Sequence, residues 1–126
     1  MSDVSFEGTL ERINREGGFE FSVLATSDGL PIATAPSDYD PDITAAMVAL
    51  LRSVARETQD HVGLAQLDEV SARASDSIRL VCRYFKVDGE DFILAVVVPS
   101  HQRYYRRLTN LAIKELRAAW NAMLAS

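Results

Sequence analysis

Apolar and polar positions alternate along this chain with two distinct periods. Phe6, Leu10 and Ile13 recur at helical spacing between Glu7, Glu11, Arg12 and Arg15, and Gly17-Gly18 follows as a stop. Over Glu20 to Thr26 the period changes to two, with Phe21, Val23 and Ala25 on one face and Ser22, Leu24 and Thr26 on the other. Ser27-Asp28-Gly29 is a tight-turn signal, and Leu30 to Ala35 follows as a second strand. Pro31 has no N–H to give a ladder, which places that strand at a sheet edge.

A long helix is expected from Asp40, a natural N-cap, through Pro41 to about Asp60 or His61, with Gly63 as its stop. At about 100° per residue, Ile43, Met47, Val48, Leu50, Leu51, Val54 and Ala55 cover an arc of roughly 160°, whereas one sheet needs a stripe nearer 100°. Val48, Leu51 and Ala55 are assigned to the surplus and to a second burial surface. Arg52, Arg56, Gln59 and Asp60 occupy the polar face.

The second half holds three strand patterns and a helix. Leu67 to Ser75 is a weak, polar strand that turns at Ser75-Asp76-Ser77. Ile78 to Val87 carries Ile78, Leu80, Cys82 and Tyr84 on one face and Val81, Phe85 and Val87 on the other. After the hairpin signal Asp88-Gly89-Glu90-Asp91, Phe92 to Val98 is apolar on both faces, the mark of a central strand covered on each side. Ser100 is the expected cap of a final helix over His101 to Leu124, with Tyr105, Leu108, Ala112, Leu116, Ala119 and Met123 inward.

The expected fold is therefore α+β, in the order α-β-β-α-β-β-β-α, as a single domain over residues 1–126. Three helices must cover two faces of one antiparallel sheet, so one face receives a single helix. The wide-arc middle helix fits that place and leaves an apolar patch for a second copy to cover.

Composition narrows the function. The chain has 126 residues, 48% hydrophobic and 25% charged, as ordinary globular domains do. A net charge of −5 argues against nucleic acid and anionic membrane as partners. No apolar run is long enough to span a bilayer, and Met-Ser-Asp-Val carries no export signal, so a cytoplasmic location is expected. The one asymmetry is the last helix: five of the 13 basic residues, against one acid, lie after Ser100. Its stripe of Arg103, Arg106, Arg107, Lys114 and Arg117 is a solvated face or a dock for an acidic partner.

No catalytic constellation emerges, and the chain is read as a non-enzyme with no metal and no cofactor. His61 and His101 are too few for a metal site. Asp38, Asp40 and Asp42 lack the glycine and closing glutamate of a calcium loop and serve as caps and turns. Cys82 is a structural thiol on a strand, with no neighbouring cation to activate it.

The segment Val23-Leu24-Ala25-Thr26-Ser27-Asp28-Gly29-Leu30-Pro31-Ile32-Ala33, together with Phe92 to Val98 and the long closing helix, resembles the Roadblock / dynein light chain domain family over nearly the whole chain. The resemblance implies a profilin-like five-stranded antiparallel sheet of order 2-1-5-4-3 with helices on both faces. It implies homodimers or heterodimers in which the third strands pair, here through Val70, Ser71 and Ala72, and the second helices pack, here through Val48, Leu51 and Ala55. It also implies binding of a small Ras-like GTPase, as in the gliding-motility polarity regulators that activate GTP hydrolysis, or a scaffold in a motor or signalling complex. The paired second helices would be the platform, with Arg52, Ser53, Arg56 and Gln59 as partner-binding residues. A sensory module with a small ligand between helix and sheet, lined by residues such as Phe21, Cys82 and Phe92, is the competing expectation.

Overall fold

The computed structural model describes residues 5–38, 40–65 and 67–125, with the side chains of residues 41–47 and 50 outside that description. The elements follow as α1 (Phe6–Gly17), β1 (Phe21–Thr26), β2 (Pro31–Ala35), α2 (Pro41–Val62), β3 (Glu69–Arg73), β4 (Arg79–Val87), β5 (Glu90–Val98) and α3 (Tyr105–Ala125). All strand pairings are antiparallel, and the sheet order is β2-β1-β5-β4-β3. Element order and strand order are those expected.

Local chemistry sets the boundaries. The Ser5 hydroxyl accepts the Gly8 N–H at the start of α1, and Gly18 closes the helix in the left-handed region at φ 65°. Gly63, at φ 75°, ends α2, its N–H donating to the Gln59 carbonyl. Asp88 and Gly89, at φ 51° and 81°, form a two-residue hairpin loop, so β5 begins at Glu90 rather than at Phe92. β3 is shorter than expected, five residues instead of nine.

α3 starts four residues later than its cap signal suggests. Residues 99–102 instead form a turn, with the Gln102 N–H donating to the Pro99 carbonyl. The Gln102 amide then donates to the Gly17 carbonyl, and its Oε1 accepts the Tyr104 N–H. Gln102 rather than Ser100 thus sets the helix start and ties this loop to α1.

The sheet separates two cores. On one face α1 and α3 bury Leu10, Ile13, Leu24, Val81, Phe85, Phe92, Leu94, Val96, Ala112 and Leu116. On the other, α2 alone among the described elements covers Phe21, Val23, Ala25, Cys82, Ile93 and Ala95. The lone helix is the middle one, as expected, and leaves Leu80, Tyr84 and Val97 only partly covered.

The rotation of α2 about its own axis is not the one expected. Val48, Leu51 and Ala55 are 0%, 7% and 7% exposed within their own chain, Val48 and Leu51 in one core with the sheet, whereas Val54 is 42% exposed. The residues assigned to a second burial surface are therefore the internal ones and cannot form a helix seam. Periodicity gives the width of an apolar arc but not which part of it meets the sheet. Ile43, Met47 and Leu50, assigned to the core stripe, have side chains outside the described residues, as has Asp42. In α3, Met123 is exposed rather than inward.

Candidate functional site

The open side of α2 borders a cleft of about 330 Å³ lined by Ser27, Arg52, Ala55, Arg56, Gln59, Asp60, Leu67, Tyr84, Asp91 and Ile93. The β1–β2 turn and the start of β5 supply its floor, where the Ser27 N–H donates to the Asp91 carbonyl. The Tyr84 hydroxyl donates to the Leu51 carbonyl at 3.3 Å and pins α2 to β4. Burial pushes the Tyr84 phenol well above its ordinary pKa, with the neighbouring Cys82 a smaller cause, so it stays a hydrogen-bond donor. A shallower groove of about 180 Å³ continues along the helix between Ala49, Arg52, Ser53, Arg56 and Glu57.

Arg52, Arg56 and Gln59 thus share one cleft, and Ser53 joins the two arginines in the adjoining groove. Ser27, Tyr84 and Asp91, which also line the cleft, lie on three other segments; Ser27 and Asp91 carry turn signals in the sequence, but nothing there brings them to α2. Tyr84 does carry a signal: it is a polar-tipped residue at the end of an otherwise apolar face of β4.

β3 forms one edge of the sheet and β2 the other. The Tyr84 N–H donates to the Asp68 carbonyl and the Ala74 N–H to the Ile78 carbonyl. Alternation of an antiparallel ladder then turns the backbone groups of Glu69, Ser71 and Arg73 outward. Val70 is half-buried, and Ser71 and Ala72 are exposed at this edge.

A second polar cluster fastens β3 to α3. The nearly buried Arg83 donates to the Thr109 hydroxyl at 2.7 Å and lies 3.5 Å from Asp68 and 3.9 Å from Glu69. Arg106 reaches Asp68 at 2.9 Å and Glu69 at 2.6 Å, and the Tyr105 hydroxyl donates to Glu69 at 2.9 Å. The hydrogen bond from Arg106, with Arg83 beside it, holds the Asp68 carboxyl below its usual range. Arg106 and Arg117, assigned to a basic stripe, are both engaged, the latter donating to the Lys86 carbonyl. Sequence reasoning misses Arg83, whose signal is a charged residue in the middle of a largely apolar strand.

The small-ligand expectation meets a geometric obstacle. Phe21 and Cys82 face α2, while Phe92 faces α3 with its ring stacked on Phe85, so the three cannot line one cavity. The void beside Phe92, among Leu24, Phe85, Leu116 and Trp120, holds only about 10 Å³, about enough for one water.

The Roadblock/LC7 domain family profile matches residues 6–97. The chain belongs to the Roadblock/LC7 domain family. Among solved structures it is similar to Myxococcus xanthus MglB, with a TM-score of 0.75 at 12% identity over 97% of this chain and 99% of that one. It is also similar to the gliding protein MglB of Thermus thermophilus, with a TM-score of 0.73 at 18% identity over 94% and 92%. A third is an MglB described as having a tetrameric arrangement, with a TM-score of 0.72 at 20% identity over 94% and 91%. At these identities the likeness is one of fold. No curated protein sequence matches.

Proposed function

We propose that this Roadblock/LC7 domain is a non-enzymatic, homodimeric regulator that binds a small Ras-like GTPase in the cytoplasm, through the open side of α2. The observation that carries the reading is the convergence of Arg52, Arg56 and Gln59 on one cleft beside the helix that covers that face. Family membership and the likeness in fold to MglB proteins support it. That α2 lies alone on its face among the described elements also supports it, since a partner can approach there without meeting another helix. The seam between copies is assigned to the β3 edge at Val70, Ser71 and Ala72 rather than to Val48, Leu51 and Ala55, which are buried within their own chain.

Stimulation of GTP hydrolysis is part of the proposal, with the domain acting by positioning the GTPase rather than by chemistry of its own. Charge reversal at Arg52→Glu with Arg56→Glu is expected to lower affinity for a purified small Ras-like GTPase by tenfold or more, about 1.4 kcal/mol, while the circular dichroism stays that of the parent. Unchanged affinity removes this surface from the reading.

A further inference from the structure

A third cleft lies on the opposite face of the sheet from α2, where the β3–β4 turn meets the loop entering α3. It measures about 420 Å³ and is lined by Arg73, Ser77, Arg79, Ser100, Gln102 and Arg103. Three guanidinium groups and no carboxylate face it, in a chain whose net charge is −5. Like charges gathered without a counter-charge repel one another, whereas the arginines that fasten the fold are matched: Arg12 with Glu115, and Arg83 and Arg106 with Asp68 and Glu69. The acid closest in sequence, Asp76, accepts the Ile78 N–H within its own turn and does not line the cleft.

The central cation is held in place. The Arg79 guanidinium lies 4.8 Å from the centre of the Tyr105 ring, and its Nη2 donates to the Gln102 carbonyl at 2.8 Å. Tyr105 is fixed in turn by Glu69, and Gln102 by the Gly17 carbonyl. A stacked, tethered guanidinium offers its remaining N–H groups in a fixed fork, which suits the tetrahedral or planar oxygens of an oxyanion. Arg73 and Arg103 are exposed and form no ion pair among the described residues, so both can close on a ligand from either side. The hydroxyls of Ser77 and Ser100 add donors that do not depend on charge.

We infer that this cleft binds a compact, multiply charged oxyanion of the phosphate class, held by Arg73, Arg79 and Arg103. Its volume accommodates a phosphate group and part of whatever carries it. The inference does not rest on the GTPase reading, because the cleft is on the face that α2 does not cover. Pairing of β3 with a second copy would use the strand's outward backbone. The Arg73 side chain alternates with that of Ala72 onto the α1/α3 face, clear of the seam.

The test is titration of inorganic pyrophosphate into the full-length protein at constant ionic strength, followed by amide ¹H–¹⁵N correlation spectra. Saturable shifts centred on Ser77, Ser100, Gln102 and Arg103 are expected. Arg73→Gln with Arg103→Gln, two exposed positions whose change leaves the other amides in place, is expected to weaken binding by about tenfold or more. Arg79→Gln should weaken it further, and the exposed pair keeps the test decisive if that variant folds poorly. Flotation with phosphatidylcholine vesicles, with and without phosphatidic acid, separates the sources of the phosphate. Binding of pyrophosphate without flotation assigns the site to a soluble phosphate ester. Flotation only with phosphatidic acid, lost in the double variant, assigns it to a lipid headgroup. Shifts that track ionic strength alone, or binding unchanged in the double variant, overturn the site.

Discussion

Arg83 shows how far a single side chain departs from what its neighbourhood suggests. It sits at 4% exposure in a strand whose flanking residues are core, yet it is no isolated charge, because Thr109, Asp68 and Glu69 surround it. The stem packs while the head binds, so the two parts separate by substitution. Arg83→Ala is expected to cost about 2–3 kcal/mol and Arg83→Met less than half of that, read from urea midpoints. Equal losses would show that the stem contributes nothing. Cys82 shows the converse, a residue whose role was legible from its place in the strand pattern. It is fully buried, and burial, with Glu69 as a lesser cause, pushes its thiol up to about 12. The thiolate is therefore almost unpopulated at neutral pH. Folded protein should react with a thiol reagent at pH 8 at least about a hundredfold more slowly than urea-unfolded protein. Equal rates would place the thiol at the surface. Since the folded value lies above the unfolded one, stability from this group is complete below about pH 8.5 and falls as the pH rises through the interval to about 12.

At the scale of elements, boundaries and faces were legible to different degrees. Turn chemistry marked the hairpins at Ser27-Asp28-Gly29 and at Asp88-Gly89 because left-handed backbone narrows the choice of residue. Strand faces followed from a period of two, which leaves no freedom once one inward residue is known: Cys82 and Tyr84 went with α2, and Val81, Phe85 and Val87 with α3. The rotation of α2 was not legible, since an arc of roughly 160° admits several orientations that bury similar area. The structure resolves the choice and reverses one expectation. Leu51→Asp buries a charge against Ile93 and Cys82, and it is expected to abolish cooperative unfolding rather than yield a folded monomer. Val54→Asp should leave the thermal midpoint within a few degrees of the parent, about 1 kcal/mol or less. Opposite outcomes in thermal melts would rotate the helix back. The edge strand provides another prediction. The Ser71 N–H points away from β4, so Ser71→Pro removes no bond within the chain. A folded protein of half the assembled mass by light scattering is expected, and a variant of unchanged mass would place the seam elsewhere.

For the whole molecule, the sheet divides the work between two faces. α1 and α3 close one side over the larger core, locked by ion pairs between Arg12 and Glu115 and around Arg83. α2 leaves the other side partly open, with polar clefts along its flank. Element order, the edge place of β2 and the central place of β5 were legible from periodicity, Pro31 and one doubly apolar strand, whereas the full strand order came with the family resemblance. The candidate site was legible only as a face of α2. Arg52, Ser53, Arg56 and Gln59 lie on one helix, whereas Ser27, Tyr84 and Asp91 reach the cleft only through tertiary folding. Among the described residues no helix is long and apolar enough to cross a membrane. The most direct measurement is capture with the immobilised protein from its own host's lysate, supplied with GTP or GDP, beside a charge-matched control. Enrichment of a small Ras-like GTPase, reduced by Arg52→Glu with Arg56→Glu, is the result this account predicts. Recovery of no GTPase in either nucleotide state would contradict it.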